Sequence, residues 1–589
     1  MKNTDIIAEV LHEYGVRDFF AVTGGAAVHV IDSLIEHKKM SSIFHHHEQA
    51  AALAADAYAR MTGLGVCVVT TGPGVTNALT GLLCSWQDSV PTIFISGQAR
   101  YGLTSLGSNV RQVGTQHLEV VPIVERMTKK AVMVKPGDDV RKILKDLVEL
   151  AQSGRKGPVW IDIPLDVQLE EFEEKPESLK LSQASHPQVY SDKLSEDFAL
   201  DLTQSVRPVL LLGRGITGFT QKSFDEFLVK TGIPCVRTWG FLDTELTIPE
   251  YLDCGVVGVS GQRGANRIVS ESDFVLSVGA RWGQAVVGPA IAEFAPIANV
   301  HIVDIDENEL DRVSQSLPRV KRHLSDSKAF LEMFTRINLK NFESSSWSEH
   351  CQLLKTWNLE QNFGWNENKI DQYNLFKVID QKFGPNSTVV IDGGGTVVYC
   401  SMQILGLVPE RRILIPSASA PMGTGLPHSI GAQVASPGNL TLMICGDGSL
   451  PFNIQELQTL LTNQLAIKIV VVNNNGYLSI QGTQDQFLGG RQHGSSSLGG
   501  LEIPNFQKIC SAYGIPYISV NQNSELQASI DSLLHYQGPA LLEVFIQENQ
   551  EIYPRTSFSK DTNGVFKAQP LSHMHPEVEL PSFIDVAQR

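Results

Sequence analysis

The feature that most constrains this chain is a repeated one. Short apolar runs recur along it, and most stop at Gly, Asp or Asn before a helix-like stretch. They are "DFFAVTG", "GVCVVTTG", "TIFISGQ", "VWIDIP", "VLLLGRG", "FVLSVGA", "VHIVDID", "TVVIDGGG", "LMICGDG", "KIVVVNNN" and "ALLEVFI". Continuous apolar strands alternating with helices belong to parallel sheets covered on both faces. Ligands of such sheets bind beyond the carboxyl ends of the strands. The glycine- and carboxylate-rich strand ends are therefore where chemistry is to be sought.

Two polar stretches interrupt the alternation, residues 168–197 and about 335–370, and both read as linkers. They divide the 589 residues into α/β blocks at 1–167, 198–335 and 370–552, with a polar tail at 553–589. The expected fold is three doubly wound parallel-sheet domains, the first and third alike. A net charge of −16 argues against non-specific nucleic-acid binding. The eight cysteines form no CxxC pair, and Cys67, Cys84, Cys235, Cys254, Cys400 and Cys445 sit in or beside apolar segments. They read as buried free thiols of a reducing compartment. With no signal-peptide core and no apolar stretch of about 18 residues, the expectation is a cytoplasmic protein without a membrane partner.

The third block carries the sharpest motif. "LMICGDGSLPF" ends a strand at Asp447 between Gly446 and Gly448. A buried carboxylate needs a compensating charge. A helix and a strand later, 27 residues on, the chain reaches Asn474 in "NNNG". One helix and one strand return a parallel sheet to the same edge. A carboxylate, an amide oxygen and a backbone carbonyl are hard ligands suited to Mg²⁺ that also binds phosphate. Gly448 and Ser449 would open a helix whose free N–H groups take an anion. Gly394, Gly395 and Thr396 in "IDGGGT" offer a second phosphate cradle.

The pattern GDGS, an Asn 27 residues after its Asp, and glycine two residues later, resembles the thiamine diphosphate motif of the pyruvate oxidase, pyruvate decarboxylase and acetohydroxyacid synthase group. The resemblance implies that Asp447, Asn474 and the Gly476 carbonyl hold Mg²⁺. "SASAPMGTGLPHSIGAQVA" resembles another segment of that family, which implies that Met422 bends the cofactor and that the Ala420 backbone meets its aminopyrimidine; the family usually has glycine at that position. In the first block, Glu48 of "FHHHEQAAALAADAYARMTG" stands at a strand-to-helix junction before an alanine-rich helix. Burial would favour its protonated form, and the resemblance makes it the acid that activates the cofactor. The same resemblance implies Gly24 and Gly25 as the turn over the reacting centre, Gln116 as an active-site glutamine, and a site completed across a homodimer or homotetramer. His117 stands where the family has an acid. Adjacent strand residues point to alternate faces, so His45, His46 and His47 do not chelate one ion; His47 is the best placed for a role.

In the middle block, "VLLLGRGITG" places Gly213, Gly215 and Gly218 after a strand, a weak GxGxxG with no acid about 20 residues on. Asp304 and Asp306 could meet a ribose or an adenine, and Arg281 lies at a third strand end. Together these resemble the FAD-holding central domain of acetohydroxyacid synthases. FAD is the favoured reading, and an empty slot stays open. The whole resemblance, over about residues 1–555, implies a carboligase that adds a pyruvate-derived acyl anion to a second carbonyl. Arg281 matches a synthase arginine that faces the acceptor carboxylate. The synthase acceptor wall is replaced here by Ser479, Ile480 and Thr483, so a 2-oxo acid, an aldehyde or a ketosugar is open as acceptor. A 2-oxo acid oxidase or simple decarboxylase is the alternative. A non-catalytic homologue is disfavoured by the intact Glu48, Asp447 and Asn474. A small regulatory subunit is left open.

Overall fold

The computed structural model describes residues 1–37, 40–105, 110–172, 196–336, 342, 345–358, 368–547, 550–560 and 566–583. Three six-stranded sheets, each wholly parallel, organise them. The first takes β1 (Asp18–Ala21), β2 (Ser41–Phe44), β3 (Gly65–Val69), β4 (Thr92–Gln98), β5 (Lys130–Met133) and β6 (Val159–Pro164), in the order β2-β1-β3-β4-β6-β5. The second takes β7 (Pro208–Leu212), β8 (Cys235–Arg237), β9 (Asp253–Val256), β10 (Phe274–Val278), β11 (Asn299–Asp304) and β12 (Val320–Leu324), in the order β12-β11-β10-β7-β8-β9. The third takes β13 (Ser387–Ile391), β14 (Arg411–Leu414), β15 (Leu440–Gly446), β16 (Lys468–Asn473), β17 (Tyr517–Val520) and β18 (Ala540–Phe545), in the order β14-β13-β15-β16-β18-β17.

The first and third sheets share one topology. The second has the strand order of dinucleotide-binding folds. Strand order reverses between β1 and β3, between β7 and β10, and between β13 and β15. In open α/β sheets ligands bind beyond the strand ends at such points.

Two polar stretches carry more structure than their composition suggests. Of the first linker, residues 173–195 lie outside the described residues. Within the second, Ser346–Lys355 is a helix. Its Trp347, Cys351 and Leu354 form one buried stripe on the central core, and the Trp347 indole donates to the Pro208 carbonyl at 3.0 Å. The tail contains two antiparallel pairs, Arg555–Thr556 with Met574–His575 and Phe558–Lys560 with Phe566–Ala568. Leu571 and Met574 are buried. All eight cysteines are free and buried. Among the described residues no helix is long and apolar enough to cross a membrane.

The alanine-rich helix Glu48–Thr62 lies between the first and third domains. Its small side chains let three neighbours approach at backbone distance. A Cβ added to Gly65 would lie 2.1 Å from the Ala55 carbonyl, one on Gly81 2.4 Å from the Ala52 Cβ, and one on Gly431 2.1 Å from the Ala54 carbonyl.

The last turn of this helix presents Arg60 to all three domains. Its fully buried guanidinium meets Asp56 at 2.6 Å, Asp88 at 2.9 Å and Asp243 of the central domain at 2.7 Å, and lies 3.4 Å from the Ile415 carbonyl of the third. Asp88 also takes the Ser417 amide and hydroxyl, and Asp243 pairs with Arg214. Arg60 is held charged by Asp56, Asp243 and Asp88, against the cost of burial. Removing one partner of such a network leaves buried charge uncompensated. Arg60→Met is expected to cost about 3–5 kcal/mol, read as a lowered denaturation midpoint. Arg322→Met, which breaks an exposed pair with Asp311, is expected to cost less than about 1 kcal/mol.

Candidate active site

In the third domain the strand ends at the β13/β15 crossover converge. Asp447 follows β15 and is 1% exposed. Its carboxylate accepts the amides of Gly448 at 2.7 Å, Gly476 at 3.1 Å and Asn474 at 3.2 Å. Burial nevertheless pushes its pKa up to about 6. The Asn474 amide oxygen is buried beside it with no hydrogen-bond partner. An orphaned buried oxygen costs free energy, and a hard cation would satisfy it together with Asp447 and a backbone carbonyl. This donor set contains one acid, and among the described residues no cluster of three His, Cys, Asp or Glu side chains forms.

The glycine turn after β13 faces this group. Gly394 and Gly395 lead into the helix Gly395–Ile404, which starts without a side-chain cap and includes the buried Thr396. Met422 and Ala420 lie against the turn: a Cβ on Gly394 would stand 3.4 Å from the Met422 Cγ and 3.8 Å from the Ala420 carbonyl. Ala420 has φ +42°, the left-handed region glycine tolerates better. The expected helix N-terminus at Gly448 and Ser449 is absent. A 3₁₀ segment, Leu450–Glu456, follows instead. The Gly448 amide is taken by Asp447 and the Ser449 amide by the Gly446 carbonyl. The Tyr477 ring also covers Gly448, where a Cβ would lie 2.1 Å from it.

Asp392, overlooked in the sequence, ties these parts together. It is 1% exposed, accepts the amides of Gly425 at 2.7 Å and Gly423 at 3.3 Å, and hydrogen-bonds the Ser449 side chain. Burial pushes its pKa up to about 7. The cue was available: like Asp447, it is a carboxylate at an apolar strand end before glycines.

The first domain gathers its own set at the β1/β3 crossover. Glu48 opens the helix Glu48–Thr62, and its neighbour His47 is the N-cap, accepting the Gln49 amide at 3.1 Å. The enclosure expected of Glu48 is not supplied by its own chain: it is half-buried, and the exposed Asn77 amide donates to it at 2.9 Å. Gly24 is packed against Thr70, where a Cβ would lie 2.5 Å away, and Gly25 has open space. Gln116 is exposed, with φ +56° and its carbonyl against Gly72. His117 turns inward and is 7% exposed. No hydrogen bond joins Glu48 to Asp447 or Asn474 among the described residues. The nearest ties are His45 Nδ1 to Glu456 at 2.9 Å, the His46 amide to Glu456 at 3.1 Å, and Asn453 to Gln49 at 3.1 Å.

In the central domain the glycines have a packing task. A Cβ on Gly213 would lie 2.2 Å from the Gly279 carbonyl, and one on Gly215 2.7 Å from the Gly279 Cα. They let the two turns at the β7/β10 crossover touch. A groove of about 760 Å³ opens there, lined by Gly215, Thr217, Thr238, Arg281, Asp304 and Asp326 among others. Burial pushes the Asp304 pKa up to about 6. Asp306 is already engaged, paired with Arg155 of the first domain at 2.5 Å. Arg281 is exposed and reaches the Gln87 carbonyl at 3.4 Å.

Three domains, with candidate sites at the strand-order reversals of the outer two and a sheet of dinucleotide-type strand order between them, point to one class. Residues 1–121 match the thiamine pyrophosphate enzyme N-terminal TPP binding domain, residues 196–332 the central domain and residues 393–544 the C-terminal TPP binding domain. The chain belongs to the thiamine diphosphate-dependent enzymes. It is 31% identical over 563 residues to acetolactate synthase isozyme 2 large subunit of Escherichia coli (strain K12), covering 94% of this chain and 97% of the relative. It is 32% identical to the chloroplastic acetolactate synthase 1 of Zea mays, over 96% of this chain and 88% of the relative. It is 30% identical to the acetolactate synthase large subunit of Lactococcus lactis subsp. lactis (strain IL1403), over 94% and 93%. Within the family it is an enzyme of the acetolactate synthase type.

Asp392 makes a pH signature. Its proton is retained in the folded state up to about pH 7, against 3.8 in the unfolded chain. Its contribution is therefore full below about pH 4 and is lost as pH rises to about 7. Asp392→Asn, neutral throughout, is expected to remove that loss. The stability difference between cofactor-free wild type and variant should change by up to about 1.4 kcal/mol per pH unit in this window and level off above it, as measured by denaturant titration.

Proposed function

We propose that the enzyme is a decarboxylating carboligase that uses thiamine diphosphate with Mg²⁺ to join a pyruvate-derived acyl unit to a second carbonyl compound. The observation that carries this reading is the partnerless Asn474 oxygen beside the buried Asp447 carboxylate. Asp447, Asn474 and the Gly476 carbonyl would hold the metal, and the turn at Gly394, Gly395 and Thr396 the diphosphate. Gly446, Gly448 and Ser449 shape the strand end around them, while Met422 and the Ala420 backbone border the organic part of the cofactor. Bound thiamine diphosphate supplies the carbanion chemistry.

Glu48 holds and moves a proton at the aminopyrimidine ring. Gly24, Gly25 and Gln116 surround the reacting carbonyl. Because Glu48 is only half-buried in one chain, a second copy is proposed to complete its enclosure, giving a homodimer or homotetramer. Exposed Phe44, Phe452, Ile480 and Phe487 support such a contact.

FAD is proposed for the central groove. Its volume is that of a cofactor site, and it lies at the crossover of a sheet with dinucleotide-type order. Gly213 and Gly215 shape that crossover, and Asp304 and Arg281 offer polar contacts. The acceptor is proposed to be a 2-oxo acid or a bulkier, more polar carbonyl compound such as an aldehyde or ketosugar. Ser479, Ile480 and Thr483 lie on the helix Leu478–Leu488 directly after the metal-site asparagines, and Ile480 and Thr483 are exposed. A small hydroxyl-bearing wall admits a bulkier, more polar partner than a large apolar one does.

Carbon-13 pyruvate with Mg²⁺, thiamine diphosphate and FAD, followed by NMR, tests the reading. Carboligation products, formed alone or on adding an aldehyde or ketosugar, are expected; labelled acetate or acetaldehyde as sole product would replace it with oxidase or decarboxylase chemistry. Glu48→Gln is expected to retain the cofactor and lose turnover at least a hundredfold. Asn474→Ala is expected to weaken Mg²⁺-dependent cofactor binding at least tenfold by calorimetry.

A further inference from the structure

Gln98 closes β4 and is fully buried. Its amide carries five hydrogen bonds. The oxygen accepts from the Ala99 amide at 2.9 Å, the Thr71 hydroxyl at 2.9 Å and His117 Nδ1 at 3.1 Å. The nitrogen donates to the Leu118 carbonyl at 2.8 Å and to Asp162 at 3.0 Å. The partners come from three separate stretches besides its own. Asp162 is anchored in turn by the Ser96 hydroxyl at 2.5 Å, which accepts from the Trp160 indole at 2.8 Å. A network this fully satisfied has one low-energy geometry, and removing its centre strands every partner.

His117 is placed to serve it. The Ser105 amide donates to its Nε2 at 2.9 Å, so Nε2 carries a lone pair and the ring proton sits on Nδ1, facing Gln98. The Ser105 hydroxyl, 2.8 Å from the same nitrogen, donates to Glu119 at 2.8 Å.

What Gln98 and His117 restrain is a pair of turns. The Thr71 hydroxyl lies 3.2 Å from the Gln116 carbonyl, and a Cβ on Gly72 would lie 2.5 Å from that same atom. Two residues on, Gly74 borders the Glu48 carboxylate, 3.6 Å from where its Cβ would be. Gln116 holds a left-handed φ of +56°, which a non-glycine residue keeps only when its surroundings determine it.

We infer that Gln98 and His117 are positioning residues for the reaction: they clamp the 114–118 turn against the 70–74 turn and so hold Gln116 in register with Glu48. The inference rests on the reading of Glu48 and Gln116 as residues of the reacting centre. The test uses the full chain with Gln98→Leu, His117→Leu and His117→Asn, whose side-chain amide can replace the Nδ1 donor.

Two readouts are taken. The first is hydrogen exchange of the 112–119 peptides without cofactor. The second is pyruvate consumption with thiamine diphosphate, Mg²⁺ and FAD. Gln98→Leu is expected to speed exchange at least tenfold and lower kcat at least tenfold, with thiamine diphosphate affinity kept within twofold. His117→Leu should do the same more weakly, and His117→Asn should recover at least half of the lost kcat. Unchanged exchange, or faster exchange with unchanged kcat, overturns the inference, as does equal loss in both His117 variants. Where Gln98→Leu does not fold, the His117 pair decides. A wild type that consumes no pyruvate defeats the proposed function instead, and the exchange readout still decides whether the clamp exists.

Discussion

The rest of the structure depends on one buried helix and the guanidinium at its end. Glu48–Thr62 starts at the proposed acid and carries Arg60 in its last turn, so the proposed catalytic residue and the residue that joins the three domains share one rigid element. Alanine and glycine let neighbouring backbones come within contact of it, and close packing transmits displacement rather than absorbing it. Arg60 then spends its donors on Asp56, Asp88 and Asp243, with the Ile415 carbonyl alongside. A planar fork that forms several charge-assisted bonds suits such a junction better than an ammonium would. The position of Glu48 relative to the central groove is thereby set by electrostatics at the far end of its own helix.

How much of this was legible follows from where each strand sits. The eleven apolar runs correspond to β1, β3, β4, β6, β7, β10, β11, β13, β15, β16 and β18. All are internal to their sheets, covered on both faces, and hence continuously apolar. Six strands escaped notice because they are edges: β2, β5, β9, β12, β14 and β17. "SSIF", "KAVM" and "VKRHL" carry polar or charged residues that stay part-exposed, as edges facing water do, while "RRIL" opens on two arginines that the structure buries. The seventh, β8, is internal but only three residues long. Length and half-exposure, not unusual chemistry, hid them.

The candidate site divides along a similar line. Asp447 and Asn474 stood out in the sequence because their spacing reports strand–helix–strand geometry and their types report ligand chemistry, and Gly394 because it lies in a glycine-rich strand end; Met422 was singled out by the family resemblance alone. Asp392 shared the same signal. Gln98 and His117 had none: their task comes from contacts between turns that are distant in sequence and adjacent only once β3, β4 and β6 lie side by side. The GxGxxG stretch shows the converse. Its glycines have a sufficient cause in the approach of Gly279, so the motif alone says little about a cofactor, whereas the strand order around it says more. Glycine tolerates both uses because it lacks a Cβ, and a one-dimensional pattern cannot separate them.

The departure from the resemblance at residues 477–488 has a structural logic of its own. The helix Leu478–Leu488 is held to the following loop by two buried amides: Gln481 donates to the Ser495 carbonyl at 2.8 Å, and Gln484 exchanges bonds with His493 and Ser495. Residues three or four apart share a helix face, so anchoring through 481 and 484 leaves 479 and 483, themselves four apart, on another face, with the exposed Ile480 at its border. Gly482, between them, has nothing within 4 Å of where its Cβ would be. Thr483 returns its hydroxyl to the Ser479 carbonyl at 2.9 Å, keeping its methyl and its spare lone pairs outward. A wall built this way is fixed on its back and unfilled on its front. Tyr477, over Gly448, ties its first turn to the Asp447 strand end. The proposed change of acceptor therefore needs no movement of the proposed metal site: the space is made by Ser479 and Thr483 on an anchored helix, while Asp447, Asn474 and Gly476 remain where the sheet edge puts them.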